Sequence, residues 1–234
     1  MSPLGNTLLV IPTYNEAGNL EGLIHEIQRQ QLGLDLLIVD DHSPDGTGEL
    51  ADQLSTRLPV TVIHREKKLG IGSAHRVGLQ YAIDRRYAYV MTMDADGSHS
   101  PEYLRPMVER ATSADVVIGS RYVRGGGFHR FGWHRLLLTR IVHWLTTSLL
   151  NLPYDCTGGL RVYRVALLST VDLHRIPSHG HAFLIELLSQ IKQHGGVIHE
   201  YPITIQPRST GRSKVSLGEL WRSAMALMRL SLQR

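Results

Sequence analysis

Five short apolar runs recur along the first half of the chain, and helical-period segments lie between them. The runs are Thr7 to Ile11, Leu34 to Val39, Val60 to His64, Tyr89 to Met93 and Val116 to Gly119. Each is short, rich in branched or aromatic residues, and has Pro, Gly, Asp or Asn at one boundary or both, as strands do. Pro12-Thr13-Tyr14-Asn15-Glu16 breaks the first run. A helix then opens at Asn15 or Glu16 and reaches about Arg29, with Leu20, Leu23, Ile24 and Ile27 at helical spacing. Further helices are expected from Thr47 to about Leu54, from Gly70–Ala74 to about Ile83, and from Pro101, a residue tolerated in a first turn. This βαβαβαβαβ order implies an α/β fold, a mainly parallel central sheet with helices on both faces.

Beyond Arg121 the character changes. Gly125-Gly126-Gly127 marks a loop, His134 to Leu150 reads as a long amphipathic helix, and Asp155 to Gly159 is another loop. Ala182 to Ile191 reads as a buried helix, Val197 to Ile205 as a strand, and Leu217 to Leu232 as a final amphipathic helix. No linker or internal repeat divides the 234 residues, so one domain is expected. Its 1–120 portion would be the nucleotide-binding half and its 121–234 portion the acceptor-binding half.

The fourth run ends in Asp94-Ala95-Asp96-Gly97-Ser98-His99. Open α/β sheets bind ligands at the C-terminal ends of their strands. Two carboxylates crowded there repel unless a hard cation such as Mg²⁺ or Mn²⁺, shared with substrate phosphates, lies between them. The alternative is a turn with two solvated aspartates.

Other loops are ambiguous in the same way. Asp41-x-Ser43-x-Asp45-Gly46-Thr47 resembles the start of a calcium-binding EF-hand loop, but a strand precedes it and no bidentate Glu closes it. A sheet-edge loop in which Asp41 accepts from a ribose or base, with Asp45-Gly46-Thr47 as turn and helix cap, fits better. Gly70-x-Gly72-x-Ala74 lacks the third glycine of a dinucleotide fingerprint, and close helix approach is the simpler explanation. Arg121 directly follows the fifth strand, where its forked donors would suit a phosphate. Arg208 to Lys214 is a basic, glycine-containing loop that either closes over a diphosphate or is merely solvated.

The net charge of +4 and pI near 9.3 point to an anionic partner. The basic residues are dispersed in clusters beside glycines, which suits a phosphate site better than a nucleic-acid stripe. The single cysteine, Cys156, excludes an internal disulfide framework and suits a reducing compartment. Its being alone also leaves the 13 histidines without a zinc spacing with cysteine. No signal peptide is evident, and no apolar run approaches the roughly 20 residues that cross a bilayer.

Together these pieces resemble the family 2 glycosyltransferases of GT-A fold, and among them the polyprenol (dolichol) phosphate mannose synthases. The matching segments, in the family's order, are Ile11 to Glu16, Val39 to Thr47, Asp94 to His99, Gly119-Ser120-Arg121-Tyr122, Cys156 to Arg161, and Arg208-x-x-Gly211-x-Ser213-Lys214. The resemblance implies that Pro12, Tyr14, Glu16, Asp41 and Ala95 hold the donor nucleotide sugar. It implies a metal, Mg²⁺ or Mn²⁺, on Asp94 and Asp96, with Ser98 where a third ligand sits. Arg121, Arg135 and Thr139 match positions that bind the acceptor's phosphate, and Arg208 and Lys214 lie in the loop that closes on the diphosphate. Asp94, Asp96, Arg121 and Arg135 are thus the expected catalytic set. Three departures stand out. Ser98 replaces a common Gln, Phe131 replaces a common Trp four residues before Arg135, and Gly159-Leu160 stands where many relatives have Gly-Phe.

The implied reaction is inverting transfer of mannose from GDP-mannose to a polyprenyl monophosphate, with UDP-glucose the alternative donor. The implied setting is cytoplasmic, peripheral on the cytoplasmic face of the membrane, with a small membrane-spanning protein as a further partner and no nucleic acid. Leu136 to Leu145, apolar with basic residues and Trp144, suits a helix in the bilayer interface, or one packed on the sheet. A hydroxyl acceptor would instead require a carboxylate base, for which Asp155 and Glu186 are the candidates.

Overall fold

The structure, a computed structural model, describes residues 3–207, 225–226 and 228–231. Its elements follow the expected alternation: β1 (Thr7–Thr13), α1 (Ala17–Arg29), β2 (Asp35–Asp40), α2 (Thr47–Ser55), β3 (Val60–His64), α3 (Ile71–Asp84) and β4 (Tyr89–Thr92). After a 3-10 turn at Pro101–Tyr103 come α4 (Leu104–Arg110) and β5 (Val116–Ser120). The second half adds β6 (Gly127–Phe128), α5 (Trp133–Leu150), β7 (Arg161–Arg164), α6 (Val165–Leu168), α7 (Ala182–Gln193), β8 (Ile198–Pro202) and β9 (Thr204–Ile205).

The main sheet has the order β3-β2-β1-β4-β7-β5-β8. All of its pairings are parallel except those of β7, which runs antiparallel between β4 and β5. Alternate strand residues feed two cores. Leu9, Ile11, Leu36, Ile38, Met91 and Val162 pack with α1, α2 and α4, while Leu8, Val10, Leu37, Val39, Val90 and Tyr163 pack with α3, α6 and α7. The four apolar positions expected in α1 are all buried.

Four points differ from the sequence reading or add to it, the first and third being corrections. First, Pro12 does not break β1, which runs on to Thr13. Pro cannot donate to a ladder, but β1's register with β4 ends at Val10↔Thr92, so at Pro12 only β2 remains alongside. Second, Arg161–Arg164, to which the periods assign no element, forms a central strand, β7. Its Arg161 is fully buried, donating to the carbonyls of Gly158, Cys156 and Leu184. Third, Val197 to Ile205 is two strands, since the chain leaves the main sheet after Pro202 and pairs with β6. Fourth, of the two placements open to the long helix, packing on the sheet is not the one found for most of α5: Trp133, Leu137, Leu138, Ile141 and Trp144 are exposed. Of the expected final helix, residues 225–226 and 228–231 are helical, with Met225 and Met228 exposed and Ala226 buried; Trp221 and Leu232 lie outside the described residues.

Strand order reverses between β1 and β4, and the loops at the C-terminal ends of β1, β2 and β4 open there. Because β7 is antiparallel, its entry segment, residues 155–160, arrives at this same edge.

Candidate active site

Two clefts meet at this edge. One is lined by Pro12, Tyr14 and Glu16 from the end of β1, Asp41 from β2, and Asp94, Ala95 and Asp96 from β4. Every described residue expected to hold the donor is therefore in one place. Arg208 and Lys214 lie outside the described residues. Lys68 and His181 also line this cleft and were not foreseen. The Lys68 ammonium sits 3.9 Å above the centre of the Tyr14 ring, a cation–π contact. His181 enters at the N-terminal boundary of α7, with no local motif to announce it.

Asp41 has a structural duty as well. Its carboxylate accepts from the Leu69 and Gly70 amides at 2.8–3.1 Å and pairs with Arg65 at 3.0 Å. It thus fixes the turn that opens α3. Gly70 has φ 94°, and a Cβ there would stand 2.7 Å from the His179 carbonyl oxygen. This is the close helix approach expected of that glycine. Asp45, as expected of a cap, accepts from the Thr47 amide and hydroxyl, and it also accepts from the Ala17 amide of α1.

The second cleft is lined by Asp94, Asp96, Ser98, His99, Arg121, Phe131, Thr139 and Thr157, with Gly158, Gly159, Ile205 and Gln206 completing it. Among the described residues, Asp94 and Asp96 are the only two that line both clefts. The backbone of Arg135 lies in α5, and its side chain is outside the described residues. Thr139 lines the cleft while its hydroxyl donates to the Leu136 carbonyl at 2.9 Å.

Arg121 is held more tightly than a free phosphate fork. Nε donates to Asp155 Oδ2 at 2.6 Å, and Nη2 donates to Asp155 Oδ1 at 2.5 Å and to Thr157 Oγ1 at 2.6 Å. Its guanidinium also lies 5.4 Å from the centres of the Tyr122 and Phe128 rings. Burial pulls the guanidinium pKa down, but the Asp155 bonds and charge outweigh it and the net shift is upward. Burial likewise pushes the Asp155 carboxyl up, and Arg121 more than reverses it. The pair is charged on both sides.

The carboxylate pair suits a hard divalent cation. Asp96 Oδ1 accepts the Ser98 amide at 3.0 Å, which braces the loop. Gly159 packs so close to Asp94 that a Cβ there would stand 2.6 Å from Oδ1. Among the described residues, no three His, Cys, Asp or Glu side chains form a closed cage. Mg²⁺ and its kin typically rest on one or two carboxylates and complete their shell with water and substrate phosphate. Two carboxylates at the junction of two clefts fit that habit.

Glu186 and Asp155, the expected bases for a hydroxyl acceptor, line neither cleft. Asp155 is fully buried on Arg121, and buried Glu186 accepts from Ser178 and is paired with Arg229.

A doubly covered, mainly parallel sheet with paired aspartates at its switch point defines a class of nucleotide-dependent transferase. Comparison with known proteins makes it specific. The family described as Glycosyl transferase family 2 matches residues 8–171, and the chain belongs to that family. It is a glycosyltransferase of GT-A fold. It is 40% identical over 227 residues to a polyprenol monophosphomannose synthase of Mycolicibacterium smegmatis, covering 95% of this chain and 85% of that one. It is 38% identical over 213 residues to an undecaprenyl-phosphate mannosyltransferase of Micrococcus luteus, covering 90% and 88%. Among solved structures it resembles glucosyl-3-phosphoglycerate synthase from Mycobacterium tuberculosis with Mn²⁺, UDP-glucose and phosphoglyceric acid. That match has TM-score 0.71 and 19% identity, over 97% of this chain and 79% of that one. Mannosyl-3-phosphoglycerate synthase from Rubrobacter xylanophilus gives TM-score 0.63 and 21% identity, over 98% and 73%.

Proposed function

We propose that this glycosyltransferase moves mannose from GDP-mannose to a polyprenyl monophosphate, with inversion at the anomeric carbon and with Mg²⁺ or Mn²⁺ on Asp94 and Asp96. The observation that carries the proposal is the carboxylate pair shared by two clefts. One cleft has the aromatic and acidic lining of a nucleoside site. The other has a charged, oriented arginine and two threonines suited to a phosphate. The sugar and the lipid acceptor rest on the two relatives at 38–40% identity. UDP-glucose occurs with neighbours only 19% identical, which bear on the fold alone.

The chemistry is coherent with these residues. A phosphate monoester has a second pKa of about 6 and is largely dianionic at neutral pH. Its oxygen forms the new bond to the anomeric carbon while the bond to the diphosphate oxygen breaks and that oxygen keeps the electron pair. No proton has to be removed, so no general base is required, and Asp94 and Asp96, the carboxylates among the described residues lining the acceptor-side cleft, are left to the metal. Arg121 and Arg135 hold the acceptor's phosphate, with Thr139 beside them, and Pro12, Tyr14, Glu16, Asp41 and Ala95 hold the nucleotide sugar. Holding both reactants in one geometry is the protein's largest contribution. A divalent cation bound at Asp94 and Asp96, with Ser98 at the third position, supplies positive charge against the leaving diphosphate. Arg208 and Lys214, outside the described residues, are assigned the same task from the resemblance.

A lipid acceptor requires a surface that meets the bilayer, and α5 provides one. Trp133 (77% exposed), Leu137, Ile141 and Trp144 (65% exposed) fall on one stripe at helical spacing, beside exposed Arg140. Among the described residues no helix is long and apolar enough to cross a membrane. The proposal places the protein on the cytoplasmic face of the membrane, as the resemblance implies, where a small membrane-spanning partner would meet Met225 and Met228.

The test is a transfer assay in detergent with purified protein, Mg²⁺ or Mn²⁺, a polyprenyl phosphate, and labelled GDP-mannose or UDP-glucose in parallel. Metal-dependent label in the lipid from GDP-mannose is expected. Label from UDP-glucose alone would overturn the donor assignment.

A further inference from the structure

We propose that His99 is an acceptor-binding residue whose Nε2–H donates a hydrogen bond to the acceptor's phosphate. The inference rests on the lipid-phosphate reading above and adds to it a contact by a residue to which the resemblance assigns no role.

His99 is 3% exposed and lines the acceptor-side cleft with Asp94, Asp96, Ser98 and Arg121. It is absent from the lining of the donor-side cleft. Its Nδ1 lies 3.4 Å from the Ser98 hydroxyl, while its Nε2 is buried with no hydrogen-bond partner among the described residues. With the Ser98 hydroxyl donating to Nδ1, the ring proton belongs on Nε2, which makes that atom a donor. Buried polar atoms are almost always satisfied, so an orphan donor beside a cleft calls for a partner that arrives with a ligand.

The partner's chemistry follows from the surroundings. The cleft already presents Arg121, held in its charged form by Asp155, and the Thr157 hydroxyl. An oxyanion in this cleft would have both the guanidinium and the imidazole N–H among the donors lining it. The phosphate of the acceptor is the oxyanion that must reach this point to attack a sugar held in the neighbouring cleft. Hydrogen bonds to charged groups are the stronger kind, so the loss should be visible in binding.

The experiment compares wild type with His99→Leu, which removes the donor, and His99→Gln, whose amide nitrogen can reach the place of Nε2. A short-chain polyprenyl monophosphate is titrated by tryptophan fluorescence, and half-saturation constants for acceptor, nucleotide sugar and metal are measured in the transfer assay. His99→Leu should weaken the acceptor constant roughly ten- to a hundredfold, leave the donor and metal constants unchanged, and be largely restored in His99→Gln. Unchanged acceptor binding in a folded His99→Leu would overturn the assignment, as would a shift confined to the metal constant, which would place His99 on the cation instead. Failure of the wild type to bind or use the lipid phosphate would overturn the acceptor reading itself, and this inference with it.

Discussion

Arg121 and Asp155 form a bidentate ion pair directly behind the acceptor-side cleft, with Nε and Nη2 donating to the two carboxylate oxygens at 2.6 and 2.5 Å. Two of the three guanidinium nitrogens are thereby spent on aiming the third. Asp155 is itself fixed, because its amide donates to Glu200 Oε1 at 2.9 Å. Asp155→Asn, which keeps the shape and loses the charge, should raise the acceptor half-saturation constant about tenfold or more and leave the nucleotide-sugar constant near wild type. Asp155→Ala leaves a buried guanidinium unpaired and should destabilise the fold by about 3–5 kcal/mol, read by denaturant unfolding.

Gly159 bears on Asp94 directly. A Cβ at 159 would stand 2.6 Å from Oδ1 and 2.8 Å from Oδ2 of that carboxylate. Gly159→Ala should therefore push Asp94 out of place. A displacement of that kind in an active site costs on the order of a hundredfold in rate. The metal half-saturation constant should rise with it, while the melting temperature changes little.

The pH dependence of stability should carry the signature of His75. It is fully buried on α3, and burial, reinforced by the positive charge of Arg161 and by His181, depresses its pKa from 6.5 to about 3. Below 6.5 the unfolded chain takes up a proton that the folded chain refuses. This contribution to stability is thus complete above the unfolded pKa and is lost as pH falls from about 6.5 toward 3, at a slope approaching 1.4 kcal/mol per pH unit. Chemical denaturation at stepped pH should show that slope, and His75→Leu should flatten it.

The exposed stripe of α5 should bind lipid. Vesicles rich in anionic lipid should shift tryptophan emission to the blue. The double variant Trp133→Ser, Trp144→Ser should bind them at least about tenfold more weakly, given the apolar area removed. Transfer to a short-chain acceptor in detergent should be much less affected.

The amino-terminal half was legible because its strands and helices obey simple periods. Val60 to His64 was placed to the residue, and the buried positions of α1 were all named. β7 was hidden because its first residue is a buried arginine, satisfied by carbonyls that only the tertiary structure brings together. The break at Ile203 was hidden because leaving one sheet for another leaves no mark on an apolar run. Of the site, the loops following β1, β2 and β4 were readable from spacing and resemblance. Lys68 and His181 were not, since each reaches a cleft through packing between distant segments, and Thr157 stood in a matching segment with no role assigned. His99 stood in a quoted motif, yet only its burial and its orphan nitrogen give it a task.

In the proposed reaction the nucleophile arrives already ionised and needs no base from the protein. The most direct measurement compares a polyprenyl monophosphate with the corresponding polyprenol as acceptor, using the same enzyme, donor and metal, with Asp96→Ala as the control. Transfer to the phosphate alone, lost in Asp96→Ala, is the expected result. Comparable transfer to the alcohol would contradict it, and would require a general base that neither Asp155 nor Glu186 is placed to supply.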